Sequence, residues 1–190
     1  MIGKIYQTLR KCFSLIHQFL IELVFPRRCP VCDKIVIPYG ELICPGCHDN
    51  IKYIGNLSCK KCGKNIAKQD GEYCFDCNHK THYFDEGKAV YDYHSVKESL
   101  YRMKYNNRKE YADFLGLETV CLLREAIMKW NPDALIPVPL HQSKLAKRGY
   151  NQAELIADVI GRRMGIPVRT DLVVRCKKTR PQKELTLQER

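Results

Sequence analysis

Four Cys-x-x-Cys pairs decide the fold of this chain: Cys29-Pro-Val-Cys32, Cys44-Pro-Gly-Cys47, Cys59-Lys-Lys-Cys62 and Cys74-Phe-Asp-Cys77. Eleven residues separate each pair from the next. A structural zinc ion takes four soft ligands in a tetrahedron, and each pair offers two thiolates from one short loop. The even spacing favours zinc over a redox pair, disulfides or an iron–sulfur cluster. We therefore predict two structural Zn²⁺ ions in a double zinc ribbon.

These cysteines can be paired in two ways. Sequential ribbons use the first two pairs for one ion and the last two for the other, whereas a cross-braced arrangement alternates the pairs. Eleven residues are enough for a hairpin with one Cys-x-x-Cys loop at each end, and connections in proteins are short, so we favour the sequential scheme. The predicted ligands are Cys29, Cys32, Cys44, Cys47, Cys59, Cys62, Cys74 and Cys77.

The residues that follow the pairs indicate tight turns. Asp33, Gly63 and Asn78 come directly after a second cysteine, and these residue types tolerate the left-handed conformation that a tight turn often needs. The remaining cysteines fall outside the period and are predicted not to bind metal: Cys12, Cys121 and Cys176.

Cysteine usage also bears on the compartment. Eight of the eleven cysteines belong to the pairs, as is usual for thiols in a reducing compartment, so we expect a cytoplasmic location.

Residues 1–26 predict an amphipathic helix. Its apolar run is interrupted by His17, Gln18 and Glu22 and is too short and polar to cross about 30 Å of hydrocarbon, so we expect no transmembrane segment. Packing against the protein's own body is favoured over contact with a membrane surface.

The formal charge of +11 would suit a nucleic-acid ligand. A zinc ion with four thiolates carries −2, so two such ions lower the total to about +7 (11 − 4). The remaining basic residues are densest between 169 and 190. Either a phosphate-binding patch or a solvated face would show this composition.

Composition divides the chain into three predicted regions: an amphipathic helix over 1–26, a double zinc ribbon over 27–80 and an α/β region over 81–190. The ribbon block has few large apolar residues and cannot build a core of its own. Metal must therefore supply its folding free energy, on the order of 10 kcal/mol per site.

The third region predicts strands that alternate with helices. Strands are expected at 89–93, 134–139 and 172–174, and helices at 95–105, before Asn131-Pro132, and from Asn151 to Gly165. The helix before Asn131 is expected to turn these residues inward: Leu115, Leu122, Leu123, Ala126, Ile127 and Trp130. Two parallel strands cannot complete a covered sheet. The predicted fold class is α/β with a small metal-stabilised module and a partly built parallel sheet.

Two motifs stand close together in this region: Leu135-Ile-Pro-Val-Pro-Leu-His141 and Lys147-Arg-Gly-Tyr-Asn-Gln-Ala-Glu-Leu155. Upstream lie Phe25-Pro-Arg-Arg-Cys29 at the ribbon entrance and Leu100-Tyr-Arg-Met-Lys-Tyr105 on the first helix of the region. Together with the double ribbon, they closely resemble the ComF family of competence-associated, phosphoribosyltransferase-like proteins. Further residues stand at that family's spacing: Arg175, Thr179, Gln182, Leu185 and Arg190.

By this resemblance, residues 81–190 form the first part of a type I phosphoribosyltransferase-like domain. In that fold a parallel sheet binds phosphoribosyl pyrophosphate at the carboxyl ends of its strands. Mg²⁺ would join only in a complete transferase. The resemblance implies phosphate contacts from six residues, each of which could instead be a solvated surface residue or a helix cap. They are His141, Lys144, Arg148, Arg175, Gln182 and Arg190.

The chain departs from the family's pattern at the acidic loop that holds the ribose of this ligand. The only adjacent acids are Asp85-Glu86, which precede the first predicted strand and so stand in the wrong place. We expect this chain to be catalytically inactive, either as a truncated gene product or as a fragment of a longer protein. No catalytic residue is predicted.

Two hypotheses describe the function. The first is a ComF-like protein that supports DNA uptake in natural competence. Its partners would be single-stranded DNA, DNA-uptake proteins and, in a completed domain, a phosphoribosyl pyrophosphate-like ligand. The second is a zinc-ribbon binding module that contacts nucleic acid or a competence partner protein without enzymatic role. Its candidate phosphate contacts are Lys52, Lys60, Lys61, Lys64 and Lys68.

Overall fold

The structure is a computed structural model that describes residues 21, 23–55, 57–66, 71–179 and 186. The described chain divides into two compact units, one that ends at Asn50 and one that begins at Ile51. Each unit contains one ribbon. The helix predicted over 1–26 lies almost entirely outside the described residues, and so do Gln182 and Arg190.

The ribbon of the first unit begins with a tight turn at its first cysteine pair. The amide of Cys29 donates to the carbonyl of Lys34 at 2.8 Å, and the amide of Asp33 donates back to the carbonyl of Cys29 at 2.9 Å. Asp33 has φ of 59°. The left-handed conformation predicted at this position is therefore confirmed.

The ribbon of the second unit repeats this turn thirty residues later. The amide of Cys59 donates to Lys64 at 2.8 Å, and the amide of Gly63, with φ of 72°, donates to Cys59 at 2.9 Å. Few aliphatic side chains among the described residues of 27–80 are buried: Val36 and Ile43 in the first unit, and Ile51 and Ile66 in the second. Two ribbons with the same local geometry follow from the repeat in the cysteine spacing.

A short helix carries the second cysteine pair of each ribbon. These helices are α1, Pro45–His48, and α2, Phe75–His79. In both, the cysteine before the helix is the N-cap residue, and the last cysteine lies within it. The prediction of a left-handed turn at Asn78 is therefore wrong, because this residue belongs to α2.

Four longer helices follow in the second unit: α3, Tyr93–Tyr105; α4, Tyr111–Trp130; α5, Gln142–Arg148; and α6, Gln152–Met164. The caps are those that the sequence predicts for α4 and α6. Asn131 ends α4 with φ of 45°, the Asn151 side chain accepts from the amide of Ala153 at 3.1 Å, and Gly165 ends α6 with φ of 72°. Helix α5 occupies a stretch that the apolar pattern does not mark as helical.

Strand pairing among the described residues is limited to isolated bridges. Leu135 pairs in parallel with Val168, one partner on each side of α6. The strand expected at 172–174 is not formed. The parallel pairing with Leu135 occurs at Val168 instead, because α6 ends at Gly165 and the chain reverses direction directly after it. The segment 89–93 pairs only at Tyr91, which bridges Tyr53 in antiparallel fashion. A parallel sheet of the phosphoribosyltransferase type is therefore not seen in the described chain.

The core of the second unit lies between α4 and α6. The face of α4 that is buried contains Tyr111, Phe114, Leu115, Val120 and Ile127. Two residues expected on this face lie elsewhere: the Leu122 side chain is 52% exposed, and Trp130 donates its indole N–H to Glu86 at 2.9 Å. The buried stripe is centred nearer the start of the helix than the sequence pattern suggests.

The second ribbon is joined to the helices of its unit through the segment 87–92. The amide of Gly87 donates to the Lys61 carbonyl at 2.7 Å, and the amide of Asp92 donates to the Lys52 carbonyl at 2.8 Å. From the ribbon side, the Tyr53 hydroxyl donates to Glu118 of α4 at 2.6 Å. Burial and the Glu118 carboxylate raise the pKa of Tyr53 well above its usual value, so this hydroxyl keeps its proton.

No helix in the described part of the chain combines the length and the hydropathy that a bilayer crossing requires.

Close packing of α4 on α6 depends on Gly116. A Cβ at this position would lie 2.7 Å from Cβ and Cγ1 of Val159. We expect Gly116→Ala to lower the free energy of unfolding by about 1–2 kcal/mol, because overpacking outweighs the gain in helix propensity. Urea denaturation followed by circular dichroism measures this difference.

Two further measurements test whether overpacking against Val159 causes this loss of stability. Gly55→Ala adds a Cβ that meets nothing within 4 Å, so its effect should stay within about 0.5 kcal/mol. On a Val159→Ala background, Gly116→Ala should cost less than it does alone, because the truncated side chain leaves room. An equal cost on both backgrounds would contradict the packing explanation.

Candidate functional site

The eight paired thiols form two compact groups. Within each group the sulfur atoms all lie within 4.8 Å of one another. The Sγ atoms of Cys32 and Cys44 are 3.9 Å apart, and those of Cys62 and Cys74 are 3.7 Å apart. A tetrahedral zinc ion with Zn–S bonds of about 2.3 Å places its sulfurs about 3.8 Å apart. The two groups therefore fit two structural zinc ions.

The grouping is sequential. One group contains Cys29, Cys32, Cys44 and Cys47, and the other contains Cys59, Cys62, Cys74 and Cys77. No cross-braced group occurs among the described residues. Cys121 and Cys176 are exposed and lie outside both groups, as the sequence predicts.

Backbone amides stabilise a thiolate in each ribbon. Burial alone would raise the pKa of the Cys59 thiol, but N–H groups of Cys62, Cys74 and Lys61 outweigh it and lower the pKa to about 6. Cys29 has the same surroundings, and its pKa is also lowered despite burial, by amides that include those of Cys32 and Cys44. The first cysteine of each ribbon is therefore prepared to bind metal as a thiolate.

The last cysteine of each ribbon shows the opposite shift. Burial together with the neighbouring thiols Cys32 and Cys29 raises the pKa of Cys47 to about 12. The pKa of Cys77 is raised for the same reasons, with Cys62 and Cys74 as its neighbours. Four thiolates at this distance repel one another, and a divalent cation offsets that repulsion and releases the remaining protons. The donor sets thus have the chemistry of zinc sites.

A cavity of about 850 Å³ lies in the second unit beside α3, α5 and the start of α6. Four of the ten residues that line it are basic, and none is acidic. The lining residues are Tyr101, Lys104, Tyr105, Asn107, Leu140, Lys144, Lys147, Arg148, Tyr150 and Gln152. Its size falls within the range of about 300–1,000 Å³ typical of ligand sites.

The structure brings together three of the six predicted phosphate contacts along α5. His141 caps this helix by accepting from the amide of Ser143 at 3.2 Å, and Lys144 and Arg148 line the cavity. Arg175 approaches the same region through Thr179, since its guanidinium donates to the Thr179 hydroxyl and Lys144 donates to the Thr179 carbonyl at 3.5 Å. Binding of phosphate by these residues stays a prediction.

The sequence reasoning did not assign a binding role to the α3 side of this cavity. Tyr101 and Tyr105 are four residues apart, a spacing that places two side chains on one face of a helix. Their rings lie 4.7 Å apart, between centroids, with Lys104 between them in sequence. The motif Leu100–Tyr105 contained this signal, but only the position of α5 shows which face is the cavity wall.

Metal content tests the two-site assignment. We expect two zinc ions per chain in the purified protein and about one in either Cys29→Ser or Cys59→Ser, because each substitution removes a thiolate from one group only. Cys121→Ser is the matched control and should keep both ions, since this exposed thiol belongs to neither group. Elemental analysis by mass spectrometry gives the stoichiometry. A loss of both ions in Cys29→Ser, or of one in Cys121→Ser, would contradict the assignment.

Comparison with known proteins agrees with this geometry. The double zinc ribbon domain family matches residues 20–78. Competence protein F of Haemophilus influenzae is 41% identical over 59 residues, which cover 31% of this chain and 26% of that relative. No solved structure matches the chain. Residues 20–78 thus match a double zinc ribbon domain, and the chain spans about a quarter of the length of Competence protein F.

Proposed function

We propose that this chain is a zinc-stabilised ComF-like protein that supports the uptake of single-stranded DNA in natural competence. The observation that carries the proposal is the pair of four-thiol sites in a chain that is similar over 59 residues to a competence protein. The proposed location is the cytoplasm, where thiols stay reduced, and the proposed partners are single-stranded DNA and DNA-uptake proteins.

The proposed role of the metal is structural. Four cysteines fill the coordination sphere of each ion and leave no open position for a substrate or an activated water, as a catalytic zinc would need. Only four aliphatic side chains are buried among the described residues of 27–80, so the ions would replace most of a hydrophobic core. This supports a protein that positions its ligand rather than one that transforms it at the metal.

We infer that the acid pair Asp85-Glu86 does not hold the ribose of a phosphoribosyl ligand. In this pair, Glu86 accepts from Trp130 and forms an ion pair with Lys88 at 2.6 Å. The Lys88 ammonium and the Trp130 indole lower the pKa of this carboxyl, so it serves as a fixed anion for its neighbours. A phosphoribosyl pyrophosphate-like ligand and Mg²⁺ belong to the proposal only for a completed domain.

The alternative of a ribbon module that contacts nucleic acid has less support from the side chains. Lys60 forms an ion pair with Glu72, and Lys64 lies 3.6 Å from Asp76. A third ribbon lysine, Lys61, lies over the ring of Phe84 at 5.3 Å. These interactions pair three ribbon lysines with carboxylates or an aromatic ring of the same protein, although such pairs are weak at exposed sites.

A transformation assay in the source cells tests the proposed function. Deletion of the gene should lower the number of transformants obtained with donor DNA, and the wild-type gene should restore it. The Cys59→Ser variant should restore it poorly, because one zinc site is lost, whereas Cys121→Ser should restore it fully. Transformation that is unchanged by the deletion would sink the proposal.

A further inference from the structure

The cavity beside α3 has an aromatic wall that the phosphate contacts do not explain. Tyr101 and Tyr105 are large side chains that remain 51% and 57% exposed. Both line the cavity, and their rings are tilted by 44° to each other. Exposed tyrosine faces beside a basic groove are the platform on which proteins stack unpaired bases.

The cations of the cavity come from two different helices. Lys104 lies on α3 between the tyrosines, and Lys144, Lys147 and Arg148 lie on α5. No carboxylate among the described residues lines the cavity to neutralise them. The positive charge therefore remains available to an anionic ligand on both walls.

Arg148 connects the two features. Its guanidinium carbon lies 5.9 Å from the centroid of the Tyr105 ring, and Nη1 donates to Oε1 of Gln152 at 2.5 Å. The Gln152 amide on one side and the Tyr105 ring on the other keep the planar guanidinium of Arg148 in one orientation. It can then serve a phosphate and a stacked base at the same time.

The corner between α5 and α6 fixes the position of the α5 wall. The Tyr150 hydroxyl donates to the carbonyl of Met103 on α3, and Asn151 donates from Nδ2 to the Val138 carbonyl at 2.9 Å. The Lys109 ammonium lies over the Tyr150 ring at 4.9 Å. Met103 is fully buried, so this contact joins α3 to the corner inside the core. The two walls are thereby held in a preformed arrangement.

We propose that this cavity is the binding site for a segment of single-stranded DNA. Bases stack on Tyr101 and Tyr105, and the backbone phosphates contact Lys104, Lys147 and the other two α5 cations. This inference rests on the proposed function and places the DNA contact in the helical part of the second unit rather than on the ribbon lysines of the alternative hypothesis. A duplex does not fit this chemistry, because its bases are already stacked and paired. A phosphate ion alone would leave the two tyrosines without a role.

Binding of fluorescent oligothymidylate of about twelve nucleotides to the full-length, zinc-loaded chain tests the site. We expect Tyr105→Ala to raise Kd at least about fivefold, since stacking on an aromatic side chain contributes about 1 kcal/mol or more per base. Tyr105→Phe keeps the ring and should bind like the wild type. Lys104→Ala combined with Lys147→Ala should reduce the slope of log K against log salt by about 1.4, because two phosphate contacts are lost.

Two control substitutions lie outside the cavity in the same unit. Tyr83→Ala removes a fully exposed tyrosine, and Lys97→Ala removes an exposed lysine from α3, so both should leave Kd unchanged. An abasic oligomer of equal length separates stacking from charge: Tyr105→Ala should not weaken it further, whereas the double lysine variant should. Circular dichroism of every variant confirms that the helices are intact.

The outcomes distinguish this inference from the proposed function. If the wild type and Tyr105→Ala bind the oligonucleotide equally well, the cavity is not the site. The same conclusion follows if Lys60→Ala combined with Lys64→Ala abolishes binding. Neither result bears on the competence role. If the wild type does not bind single-stranded DNA, the proposed DNA partner fails, and this inference fails with it. Tight binding of inorganic phosphate, with no effect of Tyr105→Ala on the oligonucleotide, would overturn the stacking role.

Discussion

Mutual repulsion between four sulfur atoms, offset by one divalent cation, is the interaction on which each ribbon depends. The sulfurs of a group lie within 4.8 Å of one another, where four thiolates could not coexist without metal. Amides directed at Cys29 and Cys59 stabilise one thiolate in each group, whereas burial together with the neighbouring thiols raises the pKa of the last cysteine. With so little apolar surface, the ribbons can fold only if a cation completes this balance.

The bound metal would also change how net positive charge is distributed over the protein. Two zinc ions with eight thiolates reduce the formal charge from +11 to about +7, and the reduction is confined to the ribbons. Lysines in the second ribbon are further engaged with Glu72 and Asp76. By contrast, no carboxylate of the described chain lines the basic cavity beside α3. A high net charge therefore indicates a specific surface only after the metal and the local ion pairs are taken into account.

Short-range patterns in the sequence were sufficient for the parts of the structure that depend on local chemistry. The cysteine spacing predicted both thiol groups, and the caps at Asn131, Asn151 and Gly165 predicted the helix ends. The predictions of a strand at 172–174 and of an inward-facing Leu122 were wrong, because both features depend on how α6 packs against α4. Helix α5 was missed because its surface is polar and its only signals are the cap at His141 and Gly149. The tyrosine wall of the cavity required the position of α5 and was beyond any local pattern.

The hydrogen bonds between the second ribbon and the segment 87–92 connect its zinc site to the helices of its own unit. The ion of the first unit would be bound by cysteines that all precede Ile51, where the second unit begins. Loss of the ion in the second unit would release the Lys61 and Lys52 carbonyls that hold the segment leading directly into α3. Since α3 carries the tyrosine wall, the cavity would loosen as soon as this ribbon opened. Metal in the second ribbon would therefore support the helical cavity of its own unit as well as the ribbon itself.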